Sequence, residues 1–266
     1  MATINVTNLI INIPNRLHVN LDSSDNIYIT SNLTNSVEKY SPTGLLINAN
    51  FISGFQNPNF IKKDNAGNFL ISSNITGNIS KYDSVTGAAI ANPFIVTGQP
   101  ARDIVYDSTG NFYANNNNFD RIAKYNSLGV LINANYINIT SPLSMCIDVL
   151  DNMYVLTNTQ LLKYDSLGVL ILTLVTGITT SPQTLILNKA GNLVFVDASA
   201  NAIYEYTTMG VSVNTPLINV GLSVPVGIIQ KSDLKYLITN QGGNGFLSIS
   251  ENAPNSTANS GFFNFM

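Results

Sequence analysis

The chain has 266 residues, 45% of them hydrophobic and only 10% charged, against about a quarter charged in an average soluble domain. That length makes one large domain or two ordinary ones, the hydrophobic content excludes disorder over most of the chain, and no apolar run approaches the roughly 18 residues of a membrane-spanning helix. Twelve basic residues against 15 acidic ones, only three of them Arg and none in a basic run, exclude a nucleic-acid surface, because phosphate contacts need clustered Lys and Arg.

In chain order, Ile4-Asn5-Val6-Thr7-Asn8-Leu9-Ile10-Ile11 reads first as a strand with no earlier strand to follow. A pattern then recurs: an apolar triplet, Asp, two residues, Gly or Asp, Asn, and a second apolar run. It stands at Asp22 to Asn26, Asp64 to Asn68, Asp107 to Asn111, Asp148 to Asn152 and, with Asn in place of Asp, Asn188 to Asn192. A degenerate copy runs from Gln230 to Ile238. The Asn anchors fall 42, 43, 41 and 40 residues apart, and Leu234 takes the sixth anchor position after 42 more. Downstream of each of the first five lies a second block: Lys39-Tyr40 to Gly44, Lys81-Tyr82 to Gly87, Lys124-Tyr125 to Gly129, Lys163-Tyr164 to Gly168 and Glu205-Tyr206 to Gly210. Asp-x-x-Gly-Asn is a tight hairpin signal, in which Asp caps the turn and Gly supplies positive φ. Calcium binding by these Asp residues is the competing reading, but they are spread one per repeat. The single cysteine, Cys146, excludes an intramolecular disulfide and a Cys-based zinc cluster. Its neighbours Met145 and Ile147 make it a buried structural thiol.

Each unit holds four short runs rich in Ile, Val, Tyr and Phe. Four strands per roughly 42 residues, six times over, is what radial repetition into a β-propeller requires. The details resemble the NHL-repeat propeller family, with Pro14, Pro58, Pro100, Pro142, Pro182 and Pro225 each just before a first strand. The resemblance implies an all-β, six-bladed propeller of four-stranded antiparallel blades over residues 1–250, with blades at about 14–56, 57–98, 99–140, 141–181, 182–223 and 224–250. The last blade has only three strands after Pro225, so residues 3–12 are expected to add its outer strand and close the ring. Residues 251–266 read as a flexible tail.

Candidate sites follow from the repeat. In such propellers the loops entering the first strand and joining the second to the third form the binding face. Six residues past each anchor stand Asn32, Asn74, Asn117, Asn158, Ala198 and Asn240, which read either as a ring of amides at the channel mouth suited to a peptide or glycan or as plain Asn turns in an Asn-rich chain. The preceding positions, Ser31, Ser73, Asn116, Thr157, Asp197 and Thr239, depart from the family's usual Asp in five of six cases, which speaks against a metal-dependent activity. Four residues before the turn, the first strands contribute His18, Phe60, Asp103, Ser144, Thr184 and Val226. His18 is the only histidine. With Asp103, and with Arg102 beside it, it makes the one candidate acid/base pair; an inert channel histidine is the alternative. A lactonase-type calcium site needs Glu, Asn and Asp converging on the channel, and Glu38, Glu205 and Glu251 lie on no predicted first strand.

On the outer strands, Leu172 and Leu174 replace Asn residues that recur in Leu45 to Phe51 and Val130 to Tyr136, and two Leu on an edge strand invite another chain. The aromatic terminus Phe262, Phe263 and Phe265 reads as a docking peptide. The abundance of Asn and Ile resembles proteins of giant viruses. Together these features give the expectation of a non-catalytic interaction or structural propeller, self-associating or bound to a protein partner. Neither cofactor nor metal, nucleic acid nor membrane span is expected, and no secretory signal is visible. The expected location is intracellular or on a virion. The alternative is a lyase- or lactonase-like enzyme with its site at the channel mouth.

Overall fold

The Asp turn builds each unit from local hydrogen bonds. The computed structural model describes residues 4–10, 16–178, 180–219, 221–242 and 245–251. In it Asp22 Oδ1 accepts from the backbone N–H of Ser24 and of Asn26, both at 2.9 Å, and Oδ2 accepts from Asn26 Nδ2 at 2.8 Å and Tyr28 OH at 3.0 Å. Asp107 and Asp148 repeat the arrangement with Asn111 and Tyr113, and with Asn152 and Tyr154. These carboxylates are therefore committed to holding the hairpin, which is the turn reading rather than the calcium one. In blade five Asn188 replaces Asp and Glu205 replaces the recurring Lys, and Asn188 Nδ2 donates to Glu205 Oε1 at 2.9 Å. The exchange keeps the turn bonded with its charge moved to the neighbouring strand.

The strands form six four-stranded antiparallel sheets, five of them consecutive in sequence. The sixth takes Pro225–Gln230, Tyr236–Asn240 and Gly245–Glu251 and adds Ile4–Ile10 as its outer strand, with Ile4 opposite Glu251 and Asn8 opposite Leu247. The ring thus closes through strands from the two ends of the chain. Buried apolar residues gather into clusters at the seams between adjacent blades. Phe60, Leu70 and Ile79 meet Ile104 and Phe112 between blades two and three, and Val19, Ile27 and Ile29 meet Leu237 between blades one and six. At the last seam, far apart in sequence, the Ser232 N–H donates to Asp25 Oδ1 at 3.2 Å. No described helix is long and apolar enough to cross a membrane.

One recurring irregularity positions the site. The innermost strands are Arg16–Leu21, Pro58–Lys63, Ile104–Tyr106, Pro142–Ile147, Pro182–Leu187 and Pro225–Gln230. In five of them the register against the second strand shifts near the entrance, for example between Arg16 and Val19 and between Pro58 and Ile61. Such bulges re-aim side chains. In blade three the ladder begins only at Ile104, because Asn115 Oδ1 accepts from both the Arg102 N–H at 3.0 Å and the Asp103 N–H at 2.6 Å.

The sixth copy needs a correction of one residue. Leu234, not the residue before it, occupies the positive-φ position of the turn, at φ +67, where Gly67 and Gly110 stand at +82. Lys235 is therefore the true anchor. Asn240 becomes the last residue of its strand, equivalent to Asp197, and Gly227 rather than Val226 matches His18. Charge and Leu at the turn hid the register, since no Gly marks it.

Candidate functional site

Where the six innermost strands enter the channel, their side chains narrow it to a neck. His18, Asn59, Arg102, Leu143, Gln183 and Val226, one from each blade, line a space of about 70 Å³. Beneath it the channel widens to a cavity of about 360 Å³ lined mainly by Val19, Ile61, Ile104, Met145, Leu185 and Ile228, with Lys62 and Cys146 also on its wall. His18 borders both spaces. On the outer side the neck opens to a groove of about 550 Å³ between blades five and six, which shares Gln183 and Val226 with it.

Side chains tie the blades together around this neck. Asp103, only 1% exposed, accepts from the Ile104 N–H at 2.8 Å, from Ser144 Oγ at 2.7 Å and from the Met145 N–H at 2.8 Å, and its Oδ1 lies 2.6 Å from Lys62 Nζ. Ser144 Oγ in turn accepts from the Leu185 N–H at 3.0 Å, and Thr184 Oγ1 donates to Val226 O at 2.7 Å. These bonds carry the linkage from blade two through to blade six. A buried carboxylate survives because each lone pair is met and a cation faces it.

The neck is cationic, and His18 and Arg102 are half-buried in it. His18 is lowered to about 4, first by loss of hydration; Asp103 opposes the fall, and Lys62 and Arg102 deepen it. Its imidazole is thus a free base at neutral pH. Burial likewise lowers Arg102 from the usual guanidinium range. Its described side-chain partner is Gln183 Oε1, at 3.5 Å, the outer limit of a hydrogen bond. Gln183 is oriented by donating Nε2 to Ser181 Oγ at 3.0 Å. Burial pushes the Cys146 thiol up, as for an inert thiol.

The residues singled out in the sequence are brought together unequally. His18, Arg102 and Asp103 do converge on the channel entrance. No hydrogen bond joins His18 to Asp103 among the described contacts, and the four groups around Asp103 make it a positioning carboxylate rather than the partner of an acid/base pair. Asn32 and Asn74 are half-buried, Asn158 is exposed in its loop, and the side chain of Asn117 lies outside the described residues. Asn240 does not join a ring of ligand amides: its Oδ1 accepts from the Ser223 N–H at 2.6 Å and its Nδ2 donates to Gly221 O at 3.3 Å. Leu172 is 36% exposed, whereas Leu174 packs against the apolar cluster between blades four and five. The register explains the difference, because Leu161 and Leu162 pair with Val175 and Thr173 and leave Leu174 as the bulged residue. Leu174 is therefore withdrawn as an interface residue. Phe262, Phe263 and Phe265 lie outside the described residues.

Sequence reasoning missed Lys62 and Gln183. Lys62 had a signal: at its position the other innermost strands carry Asn20, Val105, Cys146, Ile186 and Ile229, so it is the only charge in that row. Gln183 had none. Among the described residues, no three His, Cys, Asp or Glu side chains group as metal ligands.

No protein-family model and no curated protein matches the chain. Solved structures do. The chain is similar to a streptogramin B lyase at 14% identity and a TM-score of 0.67, over 94% of this chain and 98% of that one. It is similar to a catalytically inactive virginiamycin B lyase from Staphylococcus aureus with quinupristin, in which a histidine is replaced by alanine, at 13% identity and 0.64, over 90% and 82% of the two chains. A gluconolactonase from Xanthomonas campestris aligns at 11% identity and 0.73, over 94% and 90%. These identities establish the β-propeller fold. The similar propellers named here are lyases and a gluconolactonase, which runs against the expectation of a non-catalytic structural or virion component and favours its alternative.

Proposed function

We propose that the chain is a propeller enzyme of lyase- or lactonase-like type acting on a small molecule at the channel mouth, with His18 as its general base. The carrying observation is the position of His18, which borders both the neck and the cavity beneath it, with Arg102 on the neck and Lys62 on the cavity wall. An imidazole accepting a proton there is chemically paired with cations that stabilise the oxyanion or enolate formed as the proton leaves. Asp103 holds Lys62 in place without competing for that proton. In the similar virginiamycin B lyase a histidine is the residue replaced in the inactive protein, which supports a catalytic imidazole on this fold. The six turn copies, four of them opening on Asp, fit an NHL-type repeat, the reading of the unit that we retain.

Virginiamycin B and gluconolactone test the proposal when each is incubated with the full chain and followed by mass spectrometry. A lyase opens a ring without a change of mass, whereas hydrolysis adds one water. We expect turnover of one of them, falling by about 10²- to 10⁴-fold in a folded His18→Gln variant. Turnover untouched by that substitution, or none with either compound, refutes the assignment.

A further inference from the structure

Arg102 places a guanidinium in a neck where no described carboxylate pairs with it. Guanidinium presents a planar fork of donors matched to a carboxylate, and here its one described side-chain acceptor is a neutral amide at the limit of bonding distance. The nearest carboxylate, Asp103, is already bound to Lys62, Ser144 and two backbone N–H groups. Lys62 and Asp103 pair with each other outside the neck lining and His18 is neutral, so Arg102 carries the one unpaired charge among the neck residues. The neck holds about 70 Å³, room for a small head group such as a carboxylate.

The space beyond the neck has a different character. The groove between blades five and six is walled by the polar Ser181, Ser199, Asn201 and Gln241 and the apolar Ala198 and Val224, with Gln183 and Val226 at the neck end. It carries hydroxyls and amides and no charged side chain. At about 550 Å³ it has the size of a small-molecule site, commonly about 300–1,000 Å³.

We infer that the channel mouth binds a polyhydroxylated organic carboxylate, its anionic head in the neck on Arg102 and Gln183 and its neutral polar body along the groove between blades five and six. This rests on the reading of the mouth as a small-molecule site and names the ligand class that site takes. Binding by Arg102 and proton transfer by His18 are separable, because different blades supply them.

Isothermal titration calorimetry on the full chain at neutral pH, with sodium gluconate and its uncharged counterpart gluconamide, tests the inference. Gluconate should bind at least tenfold more tightly than gluconamide. Arg102→Gln should erase that preference. Gln183→Glu, which supplies the guanidinium with an internal carboxylate, should weaken gluconate at least tenfold and guards against a folding defect in the first variant. Equal binding of the two compounds, no heat with gluconate, or gluconate affinity unchanged in both Arg102→Gln and Gln183→Glu overturns the inference. Gluconate binding without turnover of either test lactone would instead leave this inference standing and remove the catalytic role of His18.

Discussion

Replacing His18 by Gln should remove a specific acid-side loss of stability. In the folded chain the imidazole titrates at about 4, and in the unfolded chain at about 6.5. Between those values the unfolded chain binds a proton that the folded chain refuses, so stability falls as pH falls, by up to about 1.4 kcal/mol per pH unit. Above about pH 6.5 both states are neutral and the group contributes nothing. Integrated from about pH 7.5 to about pH 5, the loss is about 2 kcal/mol. Glutamine keeps a polar side chain of similar reach and does not titrate. The carboxylates cancel in the comparison. Burial would raise Asp22, Asp107 and Asp148, but hydrogen bonds from Asn26, Asn111 and Asn152 and their neighbours hold each below the ordinary value. Their stabilisation is complete above about pH 4 and is lost only as pH falls further. Urea unfolding at both pH values, followed by circular dichroism, gives the stability difference between wild type and variant. The difference should change by about 2 kcal/mol across the range, in the variant's favour at the acid end. A difference independent of pH would refute the half-buried, cation-facing placement of His18, and with it the free base at the neck.

Two predictions concern the ring. Leu234 stands at φ +67 and is 61% exposed, so Leu234→Gly relieves backbone strain while losing little packing; a gain of about 1 kcal/mol, or about 2–4 °C in Tm, is expected. A lower Tm by calorimetry would contradict the assigned register of the sixth turn. Deleting residues 1–12 strips the outer strand from Gly245–Glu251, which it pairs through Ile4 to Ile10. At about 0.5 kcal/mol for each of six cross-strand pairs the loss is about 3 kcal/mol, and an unchanged unfolding midpoint would exclude closure by this strand.

The fold was legible because its determinants repeat. An Asp turn, a Lys-Tyr pair and a Gly recur at near-constant spacing, and each is local, so the pattern survives even where Asn188 and Glu205 exchange roles. The missing outer strand of the last blade pointed to Ile4–Ile10 by elimination. What stayed hidden was non-local or irregular. Leu234 at a glycine position shifted the last copy by one residue and misplaced Asn240 and Val226. A bulge turned Leu174 inward where strict alternation leaves it beside Leu172. His18, Arg102 and Asp103 were visible as rare residue types on first strands, but their division of labour was not. That Asp103 serves Lys62 and Ser144 while His18 stays free depends on contacts between blades, which no spacing within one repeat encodes.

A ring of near-identical blades cannot by itself orient a ligand, so asymmetry at the channel must come from residues that break the repeat. Here the breaks are grouped. Among the described residues, the charged or imidazole side chains on the channel wall and neck, His18, Lys62, Lys63, Arg102 and Asp103, all belong to blades one to three. Blades four to six offer Met145, Cys146, Thr184, Leu185, Gly227 and Ile228 at the corresponding places, all uncharged. In a chain with only 10% charged residues, grouping them on one side of the channel polarises it. A ligand entering from solvent therefore meets a cationic half and a neutral half. Its anionic end is drawn to blades one to three and its polar body is left to the groove between blades five and six. The reacting centre then lies between the two, where the neck brings His18 against the bound head group, and the sparse charge of the chain becomes the means by which a symmetric scaffold acquires direction.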